Sequence, residues 1–250
     1  MKVIAVNGIS HTGKTTVCEA LIAGLKKRGF RVASVKDIHY EAFAIDECPS
    51  SNTFRHRQAG AELVTARALK ETDVFYPERL PILELLRHYD HDYVILEGVS
   101  DCSCPRILTA FSEQELDERL DGRVVAVSGV YANDHSGEYQ GRPIFNVLTQ
   151  AEELVDLVQA RAFAPLPDFD PKCCSACGHS CRELSCLIAQ GQAKETDCLL
   201  TQQAVELLID GQPIPMVPFV QTILRNAVLA VAGELNGVAA NSELELRFKI

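Results

Sequence analysis

The sequence predicts an α/β protein with a mainly parallel sheet, followed by a smaller α+β domain that is rich in cysteine. The chain opens on an apolar run that leads through a glycine-containing loop into a stretch with helical periodicity. Short uninterrupted apolar runs recur further on, and such runs are typical of strands buried on both faces of a parallel sheet. Near the end, six of the ten cysteines crowd into the 26 positions from 173 to 198. This crowding indicates a metal or cluster site.

The first elements form a strand–helix–strand unit. Residues 2–6 are an apolar run that predicts a buried strand, and residues Lys14–Lys27 carry apolar positions at helical spacing. Gly29 stands where a helix C-cap would lie, and residues 31–36 predict the next strand. Because these elements in this order form a βαβ unit, we expect a parallel sheet.

The other elements of the sheet domain follow from periodicity and turn signals. Strands are predicted at 62–66, 93–96, 106–110 and 123–128. Helices are predicted at 53–59, 80–89, 113–120 and 150–162, with Pro81 in a first turn and Thr149 as an N-cap.

A domain boundary is predicted at 162–171, a segment with three prolines and no periodicity. The chain is therefore divided into a nucleotide-binding domain over 1–164 and a cysteine-rich domain over 172–250. After the cysteines we predict a strand at 205–209, a turn at Asp210 and Gly211, a helix at 217–235 and a strand at 243–250.

Composition excludes some classes of function. The formal net charge is −10, which argues against a general nucleic-acid binder because phosphate contacts need a basic face. No apolar stretch is long enough to span a bilayer, so we expect no membrane partner. The first residues lack the long apolar region of a signal peptide, and a cytoplasmic location is expected.

The loop after the first strand matches the phosphate-binding pattern G-x-x-x-x-G-K-[ST] through Gly8, Gly13, Lys14 and Thr15. Glycines let the backbone turn so that successive N–H groups point at phosphate oxygens. Lys14 brings a charge to the β- and γ-phosphates, and Thr15 offers a hydroxyl to Mg²⁺. A strand before and a helix after the pattern are the context it requires, so we predict a P-loop of the nucleoside-triphosphatase type.

A P-loop usually works with an acidic residue at the end of another strand, which orients Mg²⁺ or its water. Glu97 directly follows the apolar run YVIL and precedes Gly98, which makes it the leading candidate. Asp46 is the second candidate. The guanine-recognition pattern N-K-x-D is absent, and so is an arginine-rich lid helix. Neither the regulatory GTPases nor the small-molecule nucleotide kinases are therefore favoured.

Five segments occur in the order of one family: GISHTGKTT, SVKDIHYEAFAID, TFRHRQAGAE, YVILEGVS and PRIL. Together they resemble the molybdopterin-guanine dinucleotide biosynthesis adaptor family, MobB, over roughly residues 1–162. The resemblance implies a GTP-binding adaptor that assists the enzyme attaching GMP to molybdopterin, and it implies a homodimer. The partner would be this guanylyltransferase or a molybdoenzyme apoprotein.

The resemblance also implies roles for individual residues. The loop would bind phosphate and Mg²⁺ through Gly8, His11, Thr12, Gly13, Lys14, Thr15 and Thr16. Lys14 and Glu97 would be its catalytic residues, with Glu97 and Asp46 beside the metal and Gly98 completing an acidic-glycine motif. Arg55 and Arg57 would lie near the nucleotide or a partner. The chain has Asn52 where the family typically has aspartate, which leaves the role of residues 37–52 open.

Four cysteines, Cys174, Cys177, Cys181 and Cys198, have the spacing C-x2-C-x3-C-x16-C. Thiolates at this spacing can surround a 4Fe-4S cluster, with zinc as the alternative metal and Cys173 as the alternative to Cys174. The segment also resembles the four-cysteine 4Fe-4S domain of corrinoid iron–sulfur proteins. Cys186 is predicted to be a core residue. Cys102 and Cys104 are expected to be unligated, although a C-x-C pair beside a nucleotide site could bind a soft metal.

Two other classes of function stay open. One is a metallocentre-assembly NTPase, which would use hydrolysis to gate metal or cluster transfer. The other is a non-catalytic redox-sensing adaptor, in which the cluster regulates nucleotide or partner binding. Since no arginine finger or water-positioning glutamine can be assigned, we expect at most weak GTPase activity.

Overall fold

The computed structural model describes residues 1–40, 48–168, 174, 177–200, 205, 207–209, 212–214, 216 and 218–234. The α-helices are α1 Lys14–Lys27, α2 Asn52–Gln58, α3 Ile82–Leu86, α4 Glu113–Arg119, α5 Ala151–Arg161, α6 Cys181–Ala189 and α7 Pro218–Ala232. The strands are β1 Lys2–Asn7, β2 Val32–Lys36, β3 Val64–Arg67, β4 Thr72–Phe75, β5 Tyr93–Glu97, β6 Arg106–Thr109, β7 Val124–Ser128, β8 Gly137–Tyr139, β9 Arg142–Ile144, β10 Leu208–Ile209 and β11 Gln212–Pro213. Two short 3₁₀ turns cover Val130–Asn133 and Glu195–Asp197.

One seven-stranded sheet organises the fold, with the strand order β2-β5-β1-β6-β7-β9-β8. All neighbours in it pair in parallel except β8 and β9, which form an antiparallel edge. The predicted α/β class with a mainly parallel sheet is confirmed. The six strands β2, β5, β1, β6, β7 and β9 of this sheet run in one direction. Their carboxyl ends therefore meet at one edge, where ligands of open α/β sheets bind.

The central strands are buried because their side chains are apolar on both faces. Ile4, Ile95 and Ile107 lie on three neighbouring strands and are fully buried. The helix α1 buries Leu21 and Leu25 in the same apolar cluster, which α5 joins through Leu154 and its neighbours. These helices cover one face of the sheet, and α3 covers the other through Ile82 and Leu86.

A separate two-stranded sheet, β3 with β4, follows α2. The predicted strand at 62–66 is observed at Val64–Arg67, but its partner Thr72–Phe75 was not foreseen. Arg57 of α2 lies over the ring of Phe75 at 5.8 Å and over that of Phe54 at 5.7 Å. The contact with Phe75 attaches α2 to the hairpin.

Two details of the predicted helices are wrong. Thr149 is not an N-cap, because α5 begins at Ala151 after Gln150, and the Thr149 hydroxyl donates instead to the carbonyl of Asn146 at 3.4 Å. Pro81 is the N-cap of α3 rather than a first-turn residue, and α3 ends at Leu86, shorter than the predicted 80–89. The strands β8 and β9 were not predicted; each has only three residues.

The helix α6 packs on the core of the sheet. Its Leu184 and Ala189 are buried in the cluster that contains Ile4 and Leu21. Ser180 and Glu183 form a capping box at its start, with reciprocal side-chain to backbone hydrogen bonds.

An aspartate links this helix to the sheet. Asp121, just before β7, lies 2.5 Å from a guanidinium nitrogen of Arg106, 2.9 Å from one of Arg123 and 3.6 Å from one of Arg182 on α6. Burial opposes ionisation, but the hydrogen bonds from Arg123 and the charge of Arg106 lower the pKa of Asp121 below its ordinary value. The carboxylate therefore stays ionised and joins the sheet to α6.

The remaining C-terminal elements are short apart from α7. Of the predicted strand 205–209, Leu208–Ile209 is observed as β10, paired with β11. The predicted turn residues and the strand at 243–250 lie outside the described residues. No helix in the described part of the chain combines the length and apolar character that crossing a membrane requires.

Candidate functional site

The loop between β1 and α1 has the backbone of a phosphate cradle. His11 has φ of 65° and Gly13 has φ of 93°, which turns successive peptide groups toward one side. Within the described residues, the backbone N–H groups of residues 9–13 donate to no acceptor. A loop that gathers several unpaired N–H groups at the start of a helix is suited to bind an anion.

A threonine from a neighbouring strand fixes the loop from behind. The hydroxyl of Thr12 is fully buried, lies 2.7 Å from the Thr109 hydroxyl at the end of β6, and donates to the carbonyl of Ile9 at 2.9 Å. Thr109 in turn donates to the carbonyl of Asn7 at 3.1 Å. A Cβ on Gly8 would lie 2.2 Å from the carbonyl oxygen of Thr109, so only glycine fits there.

The end of β7 supports the loop from a second direction. The N–H of Val130 donates to the carbonyl of Thr12 at 3.0 Å. Gly129 has φ of 78°, and a Cβ on it would lie 2.1 Å from the same carbonyl oxygen. The loop therefore rests on Thr109 and Gly129, which come from the carboxyl ends of two strands.

Thr15 and Glu97 provide the oxygen ligands that Mg²⁺ prefers. The Thr15 hydroxyl donates to Glu97 Oε1 at 2.7 Å, and Lys36 Nζ lies 3.0 Å from the same oxygen. The Glu97 side chain is 12% exposed. β1 and β5 are hydrogen-bonded neighbours with Val6 opposite Glu97, which explains why residues 82 positions apart meet. This donor set fits a magnesium ion beside a bound phosphate.

Lys14 lies at the start of α1 with its ammonium on the loop. Its Nζ donates to the carbonyl of Ile9 at 2.5 Å. Burial lowers the pKa of Lys14 from its ordinary value, while the charge of Glu97 opposes the shift. A bound phosphate would favour the charged form of this side chain.

The peptide after Glu97 joins β5 to the end of β2. Gly98 donates its N–H to the carbonyl of Val6 at 2.9 Å, and its own carbonyl lies 3.3 Å from His39 Nε2. Gly98 has φ of 79°. Asp37 is half-buried, and a guanidinium nitrogen of Arg79 donates to it at 2.7 Å. The acidic-glycine motif is thus embedded in a polar network at the edge of the sheet.

The remaining predicted residues of the nucleotide site are less closely placed. His11 and Thr16 lie on the loop and the first turn of α1 and are exposed, and Arg55 is exposed on α2. α2 packs against the β3–β4 hairpin. Asp46 lies outside the described residues, so its predicted role stays a prediction.

The predicted cysteine ligands pack against one apolar cluster. Cys198 is buried in it, and Cys174, Cys177 and Cys181 lie half-buried against it. Among the residues that the structure describes, no three His, Cys, Asp or Glu side chains are grouped closely enough to hold a metal ion. Cys173 lies outside those residues. The four thiols therefore lie in or against the same apolar cluster, and their role as a set of four metal ligands remains a prediction.

Of the other cysteines, Cys102 and Cys104 are buried in an apolar cluster, and Cys186 is half-buried on α6. A Cβ on Gly122 would lie 2.7 Å from the Cβ of Cys186, which shows how closely α6 approaches the start of β7. Burial raises the pKa of the Cys186 thiol, which disfavours the thiolate that a metal ligand needs. A mutual hydrogen bond with Cys104, together with burial, raises the pKa of Cys102.

Several site residues were not identified from the sequence. Thr109, Gly129 and Arg79 touch the loop or Asp37 but match no motif. Lys36, which touches Glu97, lies in the second family segment without an assigned role. For Gly129, the pattern SGV directly after an apolar strand was the available signal, since strand ends of parallel sheets build sites. The partners of Thr109 and Lys36 could be recognised only once the strand order was known.

Comparison with known proteins gives one family. The family model of "MobB: Molybdopterin guanine dinucleotide synthesis protein B" matches residues 3–129. A curated relative, the "Putative molybdopterin-guanine dinucleotide biosynthesis adapter protein" of Methanocaldococcus jannaschii, is 27% identical over 242 residues. The alignment spans 95% of this chain and 93% of the relative.

Two structures of Bacillus subtilis MobB superpose with TM-scores of 0.51 and 0.50 at 20% identity. Each covers 66% of this chain and 99% of the B. subtilis chain. At that identity they establish the shared fold alone. About a third of the present chain lies outside these structural alignments, whereas the alignment with the archaeal relative spans nearly all of it.

Proposed function

The chain belongs to the MobB family of molybdopterin guanine dinucleotide synthesis proteins, and on that premise we propose that it is a GTP-binding adaptor in the biosynthesis of molybdopterin guanine dinucleotide. One observation carries the proposal: a loop with unpaired backbone N–H groups ends at Thr15, whose hydroxyl contacts the Glu97 carboxylate at 2.7 Å. Guanine is the proposed base because the names of the family and of the archaeal relative refer to guanine dinucleotide.

In this proposal the loop and Lys14 hold the triphosphate, and Thr15 and Glu97 hold Mg²⁺. A bound Mg²⁺ would neutralise charge on the β- and γ-phosphates. Within the described residues, the polar partners of the Glu97 carboxylate are Thr15 and Lys36. Neither is an arginine finger or a glutamine that orients water, so hydrolysis is expected to be slow. The chain would therefore act mainly by holding nucleotide for a partner enzyme.

The cysteine-rich segment is the second part of the proposal. Cys174, Cys177, Cys181 and Cys198 would bind a 4Fe-4S cluster, since thiolates suit iron–sulfur clusters and the four side chains share one apolar neighbourhood. Zinc is the competing metal, because four thiolates also make a tetrahedral site. No step of the adaptor function is assigned to the cluster.

A reconstituted assay tests the adaptor role. The full chain, purified without oxygen, is added to a molybdenum-cofactor guanylyltransferase together with molybdopterin, GTP and Mg²⁺, and the yield of guanine dinucleotide is measured. We expect a several-fold higher yield and a complex between the two proteins. The variant Thr15→Val removes the hydroxyl and should abolish the gain, whereas Thr65→Val on the separate hairpin should keep it. An unchanged yield at saturating protein, without complex formation, would refute the role.

Metal analysis tests the cluster separately. Iron, sulfide and zinc are measured in anaerobically purified protein together with its visible absorbance. We expect about four irons and four sulfides per chain. Cys181→Ser should lose most of the iron, and Cys186→Ser should keep it. Stoichiometric zinc without iron–sulfur absorbance would assign the site to zinc instead.

One observation favours redox sensing as a second candidate function, because α6 shares the apolar core that supports the phosphate loop. If the cluster regulates the adaptor, the Kd for GTP should differ between the oxidised, reduced and cluster-free proteins. Equal affinities would eliminate this candidate. A metallocentre-assembly NTPase would instead show fast hydrolysis that an apo-partner stimulates.

A further inference from the structure

A cavity of about 240 Å³ opens beside the phosphate loop, at the carboxyl ends of β2 and β5. Its walls come from the end of β2, from the residues after β5, from the segment after β4 and from α3. Lys36 belongs both to this cavity and to the nucleotide site, because it lines the wall and its Nζ lies 3.0 Å from Glu97 Oε1. Whatever binds in the cavity is therefore next to the candidate magnesium ligands.

The cavity adjoins the end of the loop that takes the terminal phosphate. In P-loop sites the lysine and the following threonine meet the β- and γ-phosphates and Mg²⁺. Here these residues are Lys14 and Thr15, and Thr15 contacts Glu97, the neighbour of Lys36 in the sheet. The strands that support the loop from behind, β6 and β7, lie on the other side of β1. The cavity is thus placed for a second molecule that faces the nucleotide.

The lining combines apolar walls with a charged rim. Val35, Val99, Ile82 and Leu85 supply apolar surface, and the exposed carboxylates of Glu78 and Asp101 lie at the rim. Neither carboxylate has a hydrogen-bond or ion-pair partner among the described residues. A cavity of this size is smaller than those that enclose drug-sized ligands and suits a flat two-ring heterocycle.

Two cations lie on the same rim. Lys36 is 59% exposed and Arg79 is 66% exposed. Arg79 contacts Asp37 through one guanidinium nitrogen, and a guanidinium carries five N–H donors, so it keeps donors for an anion. Arginine and lysine together are suited to bind a phosphate group.

We propose that this cavity binds a pterin phosphate, held next to the nucleotide. The flat ring would lie against the apolar walls, its amino and ring N–H groups would donate to Asp101 or Glu78, and its phosphate would contact Lys36 and Arg79. The inference rests on the proposed function, since molybdopterin is such a pterin. A guanine nucleotide also carries an N–H edge and a phosphate. The test therefore distinguishes binding of a pterin phosphate from binding of a guanine nucleotide in this cavity.

Fluorescence titration with 6-hydroxymethylpterin phosphate tests the proposal on the full-length protein, with and without saturating GTP and Mg²⁺. We expect saturable binding that GTP does not displace. Arg79→Ala and Asp101→Asn should each weaken it about tenfold, and Asp101→Asn should leave the Kd for GTP unchanged. Arg31→Ala is the matched control, because it removes an exposed arginine that pairs with Asp90 at the opposite end of β2.

Each outcome decides one point. Competitive displacement of the pterin by GTP would identify the cavity as part of the nucleotide site and overturn the proposal. Normal GTP binding without pterin binding would overturn the proposal and leave the adaptor function intact. If neither ligand binds, both this inference and the proposed function fail. Equal pterin affinity in Arg79→Ala, Asp101→Asn and the wild type would place the pterin elsewhere.

Discussion

The phosphate loop and the cysteine-rich segment are fixed by different forces. Hydrogen bonds hold the loop: Thr12 contacts Thr109 at 2.7 Å, and Val130 donates to the Thr12 carbonyl at 3.0 Å. In the cysteine-rich segment, Cys198 is buried in an apolar cluster and the other described thiols pack beside it. Among the described residues, no three of these side chains are close enough together to hold a metal ion.

If the cysteine-rich segment holds the proposed cluster, the chain prepares one site without its ligand and completes the other only when its ligand binds. Backbone N–H groups carry only partial charges, so a turn can bring them together without the repulsion that full charges would cause. Thiolates carry full negative charges that repel each other, so a cluster site commonly forms only as the metal binds.

Gly129→Ala should have the largest effect on the loop. The added Cβ would lie 2.1 Å from the carbonyl oxygen of Thr12, at a φ of 78°. We expect the free energy of unfolding to fall by about 3 to 4 kcal/mol, as measured by chemical denaturation. Gly141→Ala is the matched control, since its φ is 74° but no atom lies within 4 Å, and it should cost about 1 kcal/mol. Equal losses would show that Gly129 does not support the loop.

Asp121→Asn should weaken the connection between the two regions. Removing this carboxylate leaves Arg123, which is 3% exposed, and Arg106, which is 13% exposed, without their ionic partner. We expect a loss of about 3 kcal/mol in the free energy of unfolding. Asp90→Asn removes an exposed carboxylate that also pairs with an arginine and should leave stability nearly unchanged. A similarly small loss of stability in Asp121→Asn would contradict the role of this carboxylate in joining the sheet to α6.

The same carboxylate gives a pH dependence with a defined sign. The pKa of Asp121 in the folded chain lies below its ordinary value of 3.8. Its contribution to stability is therefore complete above pH 3.8 and is lost as the pH falls through the folded pKa. The difference in unfolding free energy between wild type and Asp121→Asn should narrow only below pH 3.8. Narrowing already at neutral pH would refute this assignment.

Lys14→Ala should weaken GTP binding about a hundredfold, or about 2.7 kcal/mol, because the loop loses its one ammonium. Isothermal titration calorimetry with GTP and Mg²⁺ measures the Kd. Lys26→Ala removes a lysine near the other end of the same helix and should bind normally. Iron content should be the same in both variants, and a parallel loss of iron would contradict the separation of the two sites.

Ser180→Ala should have the smallest effect and act on the cysteine-rich region alone. The Ser180 side chain accepts from the N–H of Glu183 in the capping box of α6. We expect a loss of about 1 kcal/mol and faster hydrogen exchange in α6, with an unchanged Kd for GTP. Ser112→Ala removes the corresponding cap of α4 and should leave exchange in α6 as it was. Faster hydrogen exchange of α6 in both variants would mean that the change in α6 does not come from the loss of its own cap.

The parts of the fold and of the site that could be predicted from the sequence are those with local signals. The strand–loop–helix unit and Glu97 were predictable because strand periodicity and the P-loop pattern are local signals. Thr109 and Gly129 were not, because their partners lie about a hundred residues away and depend on strand order. The three-residue strands β8 and β9 are too short for an alternation pattern to stand out, and β4 was missed because its hairpin exposes most of its side chains.

The strand β7 links the two regions at fixed spacing. All five of its residues are buried; Gly122 before it adjoins Cys186 on α6, and Gly129 after it adjoins the phosphate loop. At about 3.3 Å per residue the strand is roughly 17 Å long. Its ladder bonds to β6 hold the strand in place, so the contacts at its two ends lie at a fixed spacing. A change that displaced β7 would therefore be felt at both contacts, at α6 and at the phosphate loop.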